Sequence, residues 1–314
     1  MRRPALFAVT AIVALVLLGV IVFHDALVAL AIRSVAAPLG YTVGFERLQT
    51  GLTRAVVTGL DVTNRAGEPV FDASRIDVQY SLRDLLPGSR HRFGLTALDV
   101  ERPKLVLIHH ADGTYNVTLP AGSSAPQKPD TTPIDVRARV RDGSVLLIDR
   151  FVQPGIERRQ RIVGLSVDAN LAPTGHSFYD ARFDLDDGRT LHPVVGKATF
   201  ASDRGYDAQR WTAASLPIGP LVDFALPSHA IDLVDGELRD LDARVYTFVD
   251  TDGTSDTHVS ASAQLERGKL YVAALAKPLR DAHGPIRAYG NGVTTTGIDA
   301  TLAGVPLHLA GGVF

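Results

Sequence analysis

Apolar and polar positions divide this chain into two parts with different periods. Residues 5–23, ALFAVTAIVALVLLGVIVF, hold Thr10 as their only polar side chain. A helix of that length rises roughly 28 Å, close to the hydrocarbon thickness of a bilayer. It has no wet side to turn outward, so it predicts a membrane span and not a helix resting on a soluble core. Beyond it the period becomes two. Leu165, Val167, Ala169 and Leu171 alternate with Ser166, Asp168 and Asn170. Tyr179, Ala181, Phe183 and Leu185 alternate with Asp180, Arg182 and Asp184, and Val259, Ala261, Ala263 and Leu265 with Ser260, Ser262 and Gln264. Such alternation puts one set on each face of a sheet, one dry and one wet. Rougher versions run through 54–63, 70–80, 95–108, 143–149, 191–200, 236–249, 284–290 and 297–310.

Short polar pairs punctuate these runs: Asp112-Gly113, Asp142-Gly143, Asp187-Gly188, Asp252-Gly253, Arg267-Gly268 and Asn291-Gly292. They supply the positive φ that tight hairpins need, so each is predicted as a turn. The expected fold is mainly β, a long antiparallel meander after one N-terminal transmembrane helix. Two short helices are expected. One starts at Ser81 as N-cap and stops at Pro87-Gly88; the other spans 220–226, with Pro220 at its first position. Residues 119–133, LPAGSSAPQKPDTTP, are too poor in apolar side chains to build a core and read as a linker or surface loop. The chain therefore divides into a signal anchor at 1–33, an N-terminal β subdomain with a short helix at 34–118, the linker at 119–133, and a continuing antiparallel β region at 134–314.

Charge sets the orientation. Arg2 and Arg3 precede the apolar span, which keeps the N-terminus cytoplasmic and sends the body across the membrane. A cleaved signal peptide is the competing reading, with small residues at Ala29-Leu30-Ala31 and Ala36-Ala37. Against it, the apolar stretch exceeds the roughly 7–15 residues of a secretory core. The composition, 46% hydrophobic and 21% charged with a net charge of −2, suits a folded β body. It lacks the concentrated positive face that nucleic acid requires. With no cysteine, disulfides, thiolate metal sites and cysteine nucleophiles are excluded.

The most tempting chemistry is HHADGTYN at residues 109–116. Adjacent residues on a strand point to opposite faces, so His109 and His110 do not share a metal, and Asp112-Gly113 supplies turn chemistry. Asp250-Thr251-Asp252-Gly253-Thr254-Ser255-Asp256 resembles a calcium loop but lacks the spacing to glycine and the terminal glutamate, and reads as a polar hairpin. Asp184, Asp186 and Asp187 read as a solvated strand end. Gly290-Asn291-Gly292 opens no helix, and neither a nucleophile elbow nor a phosphate loop occurs. No catalytic residue is expected, nor any metal or cofactor.

The order of pieces carries a resemblance. The residues GLTRAVVTGLDV (51–62), GEPVF (67–71), IDVQYSL (76–82) and LLPG (85–88) come in turn. They are followed by Leu95, LDV (98–100), PKLVL (103–107) and DGTYN (112–116). This succession, after the apolar span, resembles the N-terminal region of the AsmA/TamB superfamily of bacterial envelope proteins. The stretches 141–149, 277–286 and 304–311 resemble its later strands. Many members are far longer, and this chain stops at Gly311-Gly312-Val313-Phe314 inside a strand-like pattern, as a fragment or a short member would. The resemblance implies a β-groove, a sheet folded lengthwise around an apolar inner face, in a protein anchored in the inner membrane with a periplasmic body. It implies phospholipid transport between inner and outer membranes or outer-membrane assembly, without catalysis, with membrane phospholipids and an outer-membrane barrel as partners. Leu165, Val167, Ala169, Leu171, Tyr179, Ala181, Phe183, Leu185, Val259, Ala261, Ala263 and Leu265 are then the candidate lipid-binding positions. The alternative is a scaffolding β-domain of the envelope with a closed core and no lipid. A third reading is a hydrolase using the Asp184/Asp186 region.

Overall fold

The period of two becomes sixteen strands. They are β1 (Tyr41–Gly44), β2 (Arg47–Thr50), β3 (Arg54–Asn64), β4 (Pro69–Tyr80), β5 (Leu95–Glu101), β6 (Lys104–His109), β7 (Val136–Asp149) and β8 (Arg158–Leu171). Then follow β9 (Ser177–Asp186), β10 (Leu191–Ala201), β11 (Tyr206–Pro217), β12 (Ile231–Val249), β13 (Ser255–Val272), β14 (Leu279–Tyr289), β15 (Gly292–Leu302) and β16 (Val305–Val313). This computed structural model describes residues 36–81, 94–117, 136–152, 155–171, 177–201, 206–221, 231–249, 255–272, 275–290 and 292–313, together with Ala29, Arg33 and Ser34. The expected membrane span at 5–23, the helix after Ser81, the linker at 119–133, most of the helix at 220–226 and the centre of the hairpin at 250–256 lie outside the described residues. Among the described residues no helix is long and apolar enough to cross a membrane.

All sixteen strands join one sheet in the order β1-β3-β4-β5-β7-β8-β9-β10-β11-β12-β13-β14-β15-β16, with β2 on β3 and β6 on β4 and β7. From β7 onward each strand pairs antiparallel with the next, as the meander predicts. Before β7 the order departs from a meander. Both β5 and β6 run parallel to β7, with Ala97↔Arg137 to Glu101↔Arg141 and Lys104↔Ser144 to His109↔Asp149. The two are halves of one line interrupted at Arg102, whose φ is 48°, and Pro103. Parallel neighbours cannot be joined by a hairpin, so a long connection between His109 and Val136 is a topological need.

Two expected turns are not turns. Asp142-Gly143 lies inside β7 and Arg267-Gly268 inside β13. Asp142 and Arg267 do take positive φ, 53° and 52°, but there they insert extra residues and shift the register as β-bulges. The conformation that closes a hairpin also makes a bulge, and apolar alternation resumes after either, so the pattern alone does not separate them.

The bulged sheet bends on itself at one end. Arg158 at the start of β8 donates from Nη2 to the Val234 carbonyl of β12 at 3.2 Å. Three strands separate β8 from β12, roughly 19 Å in a flat sheet, well beyond an arginine's reach. Gln160 adds two contacts at the same end: its Nε2 donates to Pro217 O at 3.3 Å and its Oε1 accepts from Leu221 N at 2.9 Å. Inside this bend sits the main apolar core, drawn from β8–β15 and the residue after β11: Ile162, Leu185, Val194, Leu216, Ile218, Leu238, Leu265, Leu279 and Ile298 are among its members.

Candidate functional site

Register places the predicted apolar positions on one face. An unbroken row of directly opposed residues runs Val167↔Ala181↔Gly196↔Trp211↔Ala243↔Ala261↔Ala288 across β8–β14. Opposed residues in antiparallel strands share a face, so the two alternating sets of β8–β9 and β13 belong to the same surface. The next rows add Ala169↔Tyr179, Ile162↔Leu185, Val245↔Val259, Ala263↔Ile286 and Leu238↔Leu265.

That surface is deeply buried at one end and unevenly buried toward the other. Leu185 and Leu265 are 0% and 1% exposed, and Ala181 and Ala263 are also buried. A single sheet face does not exclude water that completely; the bend at β8–β12 closes over it. Toward the other end Val167, Ala169, Tyr179, Val259 and Ala261 are only half-buried, as are Phe183 beside Leu185 and Leu165 at its bulge, whereas Ala198 and Ser177 are each 3% exposed. The side chain of Leu171 lies outside the described residues.

The half-buried end contains a group that the alternation does not predict. β11 places Asp207, Gln209, Trp211 and Ala213 on the apolar face, opposite Thr247, Val245, Ala243 and Leu241 of β12. Trp211 lies across Gly196, where a Cβ would overlap its ring, and it packs against Phe183 and Tyr179 at centroid distances of 6.2 and 6.3 Å. Tyr179 Oη donates to Gln209 Oε1 at 2.9 Å, and Trp211 Nε1 donates to the same oxygen at 3.3 Å. Gln209 Nε2 donates in turn to Asp207 Oδ2 at 2.8 Å. The second carboxylate oxygen, Oδ1, is buried and accepts no hydrogen bond. Burial first, then the nearby Asp207 charge, raises the Tyr179 pKa above the usual tyrosine value. β11 was not legible as a strand because two inward positions are polar, which erases the contrast between faces; the polar-aromatic spacing Asp207-Gln209-Trp211 is the signal that remains.

The other candidates behave as strand ends and turns. His109 and His110 do point apart: His109 Nδ1 meets Asp149 Oδ1 at 3.0 Å, whereas His110 Nε2 lies 3.4 Å from Glu68 Oε2. The turn that follows is closed by His110 N to Thr114 O and by Thr114 N to Asp112 Oδ1. Asp187 accepts from the backbone N–H groups of Thr190 and Arg189, each at 2.7 Å, and from His192. Those bonds hold its pKa down at about 2, with the Thr190 N–H the largest cause, so it is a turn cap and not a proton donor at neutral pH. Asp186 faces Arg161 at 3.7 Å. His192 Nδ1 also meets Ser215 Oγ at 2.8 Å, but the Ser215 hydroxyl donates to the Glu237 carboxylate. Its proton is directed away from the imidazole, the reverse of what nucleophile activation requires. This network borders a cavity of about 1110 Å³ whose rim carries both signs of charge, including Arg161, Arg189, Arg267, Asp187 and Glu237. Among the described residues no group of three acidic or histidine side chains is placed to hold a metal ion. Comparison of the chain with protein-family models and with curated proteins finds no match.

Proposed function

We propose that this protein is an inner-membrane-anchored, periplasmic carrier whose apolar sheet face accommodates phospholipid acyl chains, in transport between the two membranes or in outer-membrane assembly. The observation that carries the reading is the unequal cover of a single face. One end is sealed by Leu185 and Leu265, whereas toward the other Val167, Ala169, Val259 and Ala261 are only half-buried. A largely apolar face that is only partly covered offers acyl chains a dry surface while the headgroup stays wet. Residues 5–23 supply the anchor, Arg2 and Arg3 its orientation, and the AsmA/TamB-like order of residues 51–116 agrees with this role. The anchor, an outer-membrane barrel partner and the lengthwise groove are parts of this proposal, as is the absence of catalysis.

The sealed end alone is also what a scaffolding domain presents, so the test is made at both ends. Leu265→Glu buries an unpaired charge and is expected to unfold the sheet. Val259→Glu and Ala261→Glu reach water at the half-buried end, so the variants are expected to keep their circular dichroism melt while co-purified phospholipid, counted by mass spectrometry, falls. Lipid-free wild-type protein, or melting lost equally at all three positions, returns the reading to a closed scaffold.

A further inference from the structure

We propose that the cluster of Asp207, Gln209, Trp211 and Tyr179 is a binding site for an alkylammonium group, presented by the headgroup of an amphiphile or by a soluble amine. For a headgroup, this rests on the acyl-chain reading of the same face.

The hydrogen bonds select the sign of the ligand. Tyr179 Oη, Trp211 Nε1 and Gln209 Nε2 each already donate within the cluster. The acceptor on Gln209 is taken twice. Asp207 Oδ1, on a carboxylate, is buried and accepts no hydrogen bond. An anion such as a bare phosphate finds at most the second N–H of Gln209 among these groups, and it meets the like charge of Asp207. A ligand N–H carrying positive charge satisfies both the empty valence and the charge.

Among the described residues the surroundings supply no such partner from within. The register neighbours of Asp207 are Phe200 on β10 and Thr247 on β12, neither of them cationic, and among the described residues Asp207 makes no ion pair. A divalent metal is a poor fit, because hard cations take about six oxygen ligands and this cluster has one carboxylate to give. Aromatic rings fit an ammonium better: Trp211, with Tyr179 and Phe183 against it, offers π faces that attract a cation and tolerate its methyl or methylene groups. The position is also suited to a headgroup, since β11 carries these residues on the half-buried end of the apolar face and not in the sealed core.

Trp211 is the only tryptophan in the chain, so its fluorescence reports on this site alone. The full-length protein in a nonionic detergent is titrated with three probes. They are dihexanoyl-phosphatidylethanolamine, dihexanoyl-phosphatidylglycerol with the same tails and no ammonium, and free ethanolamine. Saturable change with the ethanolamine lipid is expected, at an affinity at least tenfold above that of the glycerol lipid. Asp207→Asn removes the charge and is expected to abolish that preference while leaving the glycerol lipid's weaker binding unchanged. Thr247→Lys places an internal ammonium opposite Asp207 and is expected to block the same probe; it tests the site independently if Asp207→Asn melts early. Equal binding of both lipids, insensitive to both variants, overturns the ammonium site and leaves the acyl-chain reading standing. Binding of free ethanolamine that depends on Asp207, with no lipid binding, supports the ammonium site with a soluble source and overturns the acyl-chain reading. Response to none of the probes overturns both.

Discussion

His109 and His110 leave one strand end in different directions, and substitutions should separate them sharply. The His109 ring stacks on Tyr115 at 4.4 Å and 6°, packs on Phe151 at 4.6 Å, and reaches Asp149, which is 1% exposed. His109→Ala leaves a buried carboxylate short of a partner, which costs about 1–3 kcal/mol. His110→Ala, at a partly exposed position, should stay within about 0.5 kcal/mol. Urea unfolding of the two variants gives the difference directly. Asp187 makes a pH prediction of definite sign. Its folded pKa lies at about 2, below the ordinary 3.8, so its stabilising contribution is full above 3.8 and disappears as pH falls toward 2. Asp187→Asn should therefore be less stable than wild type at pH 7, and the gap between their melting temperatures should close between pH 4 and 2. A gap that stays constant through that window would show that the turn hydrogen bonds do not depend on the charge.

Strands in this sheet are long because bulges let them continue where a hairpin would have turned them back, and the bulges depend on close backbone approach. Gly284 in β14 has φ of 146°, and a Cβ there would run into the Gly297 carbonyl on β15. Gly290, at the β14–β15 turn, has φ of 58° with open space around it. Both resist alanine through their φ, but only Gly284 adds a backbone collision. Gly284→Ala should therefore lose more than about 1 kcal/mol beyond Gly290→Ala in thermal melts. β16 makes a second test at this scale. It pairs with β15 alone, and Val305, Pro306, Leu309 and Ala310 are exposed. Its outward amides face no strand among the described residues. Hydrogen exchange should be much faster there than in β13, which is paired on both sides. Equal protection would mean that something covers this edge.

One sheet does not imply one core. The buried members of the main cluster come from β8–β15 and the residue after β11, whereas Leu48, Val70, Ala73 and Val100 are buried in β2–β5 outside it. Leu279, 1% exposed, belongs to the first group, and Leu279→Ala should cost about 2–5 kcal/mol. The loss should appear in hydrogen exchange as lowered protection throughout β8–β15, with β3 and β4 little changed. Uniform loss across all strands would instead show that the sheet transmits stability as a single unit.

Alternation along Leu165–Leu171, Tyr179–Leu185 and Val259–Leu265 was sufficient to establish those strands and their dry faces. A period of two is a local property, written by each residue's own side chain, and so it survives in the sequence. The same holds for the turn at Asp112-Gly113, whose conformation is set by the residues that form it. What the pattern left open depended on contacts far apart along the chain. Whether Asp142-Gly143 and Arg267-Gly268 turn or bulge is decided by the strands beside them, since the backbone angle serves both. The parallel seat of β5 and β6 on β7 depends on a crossover that no alternation encodes. The burial of Leu185 and Leu265, set against the half-exposure of Val167 and Val259, follows from Arg158 and Gln160 closing one end of the sheet across several strands. β11 lay hidden for a related reason: Asp207 and Gln209 occupy inward positions, and only the register with Tyr179 and Thr247 shows that polar groups stand on the apolar face.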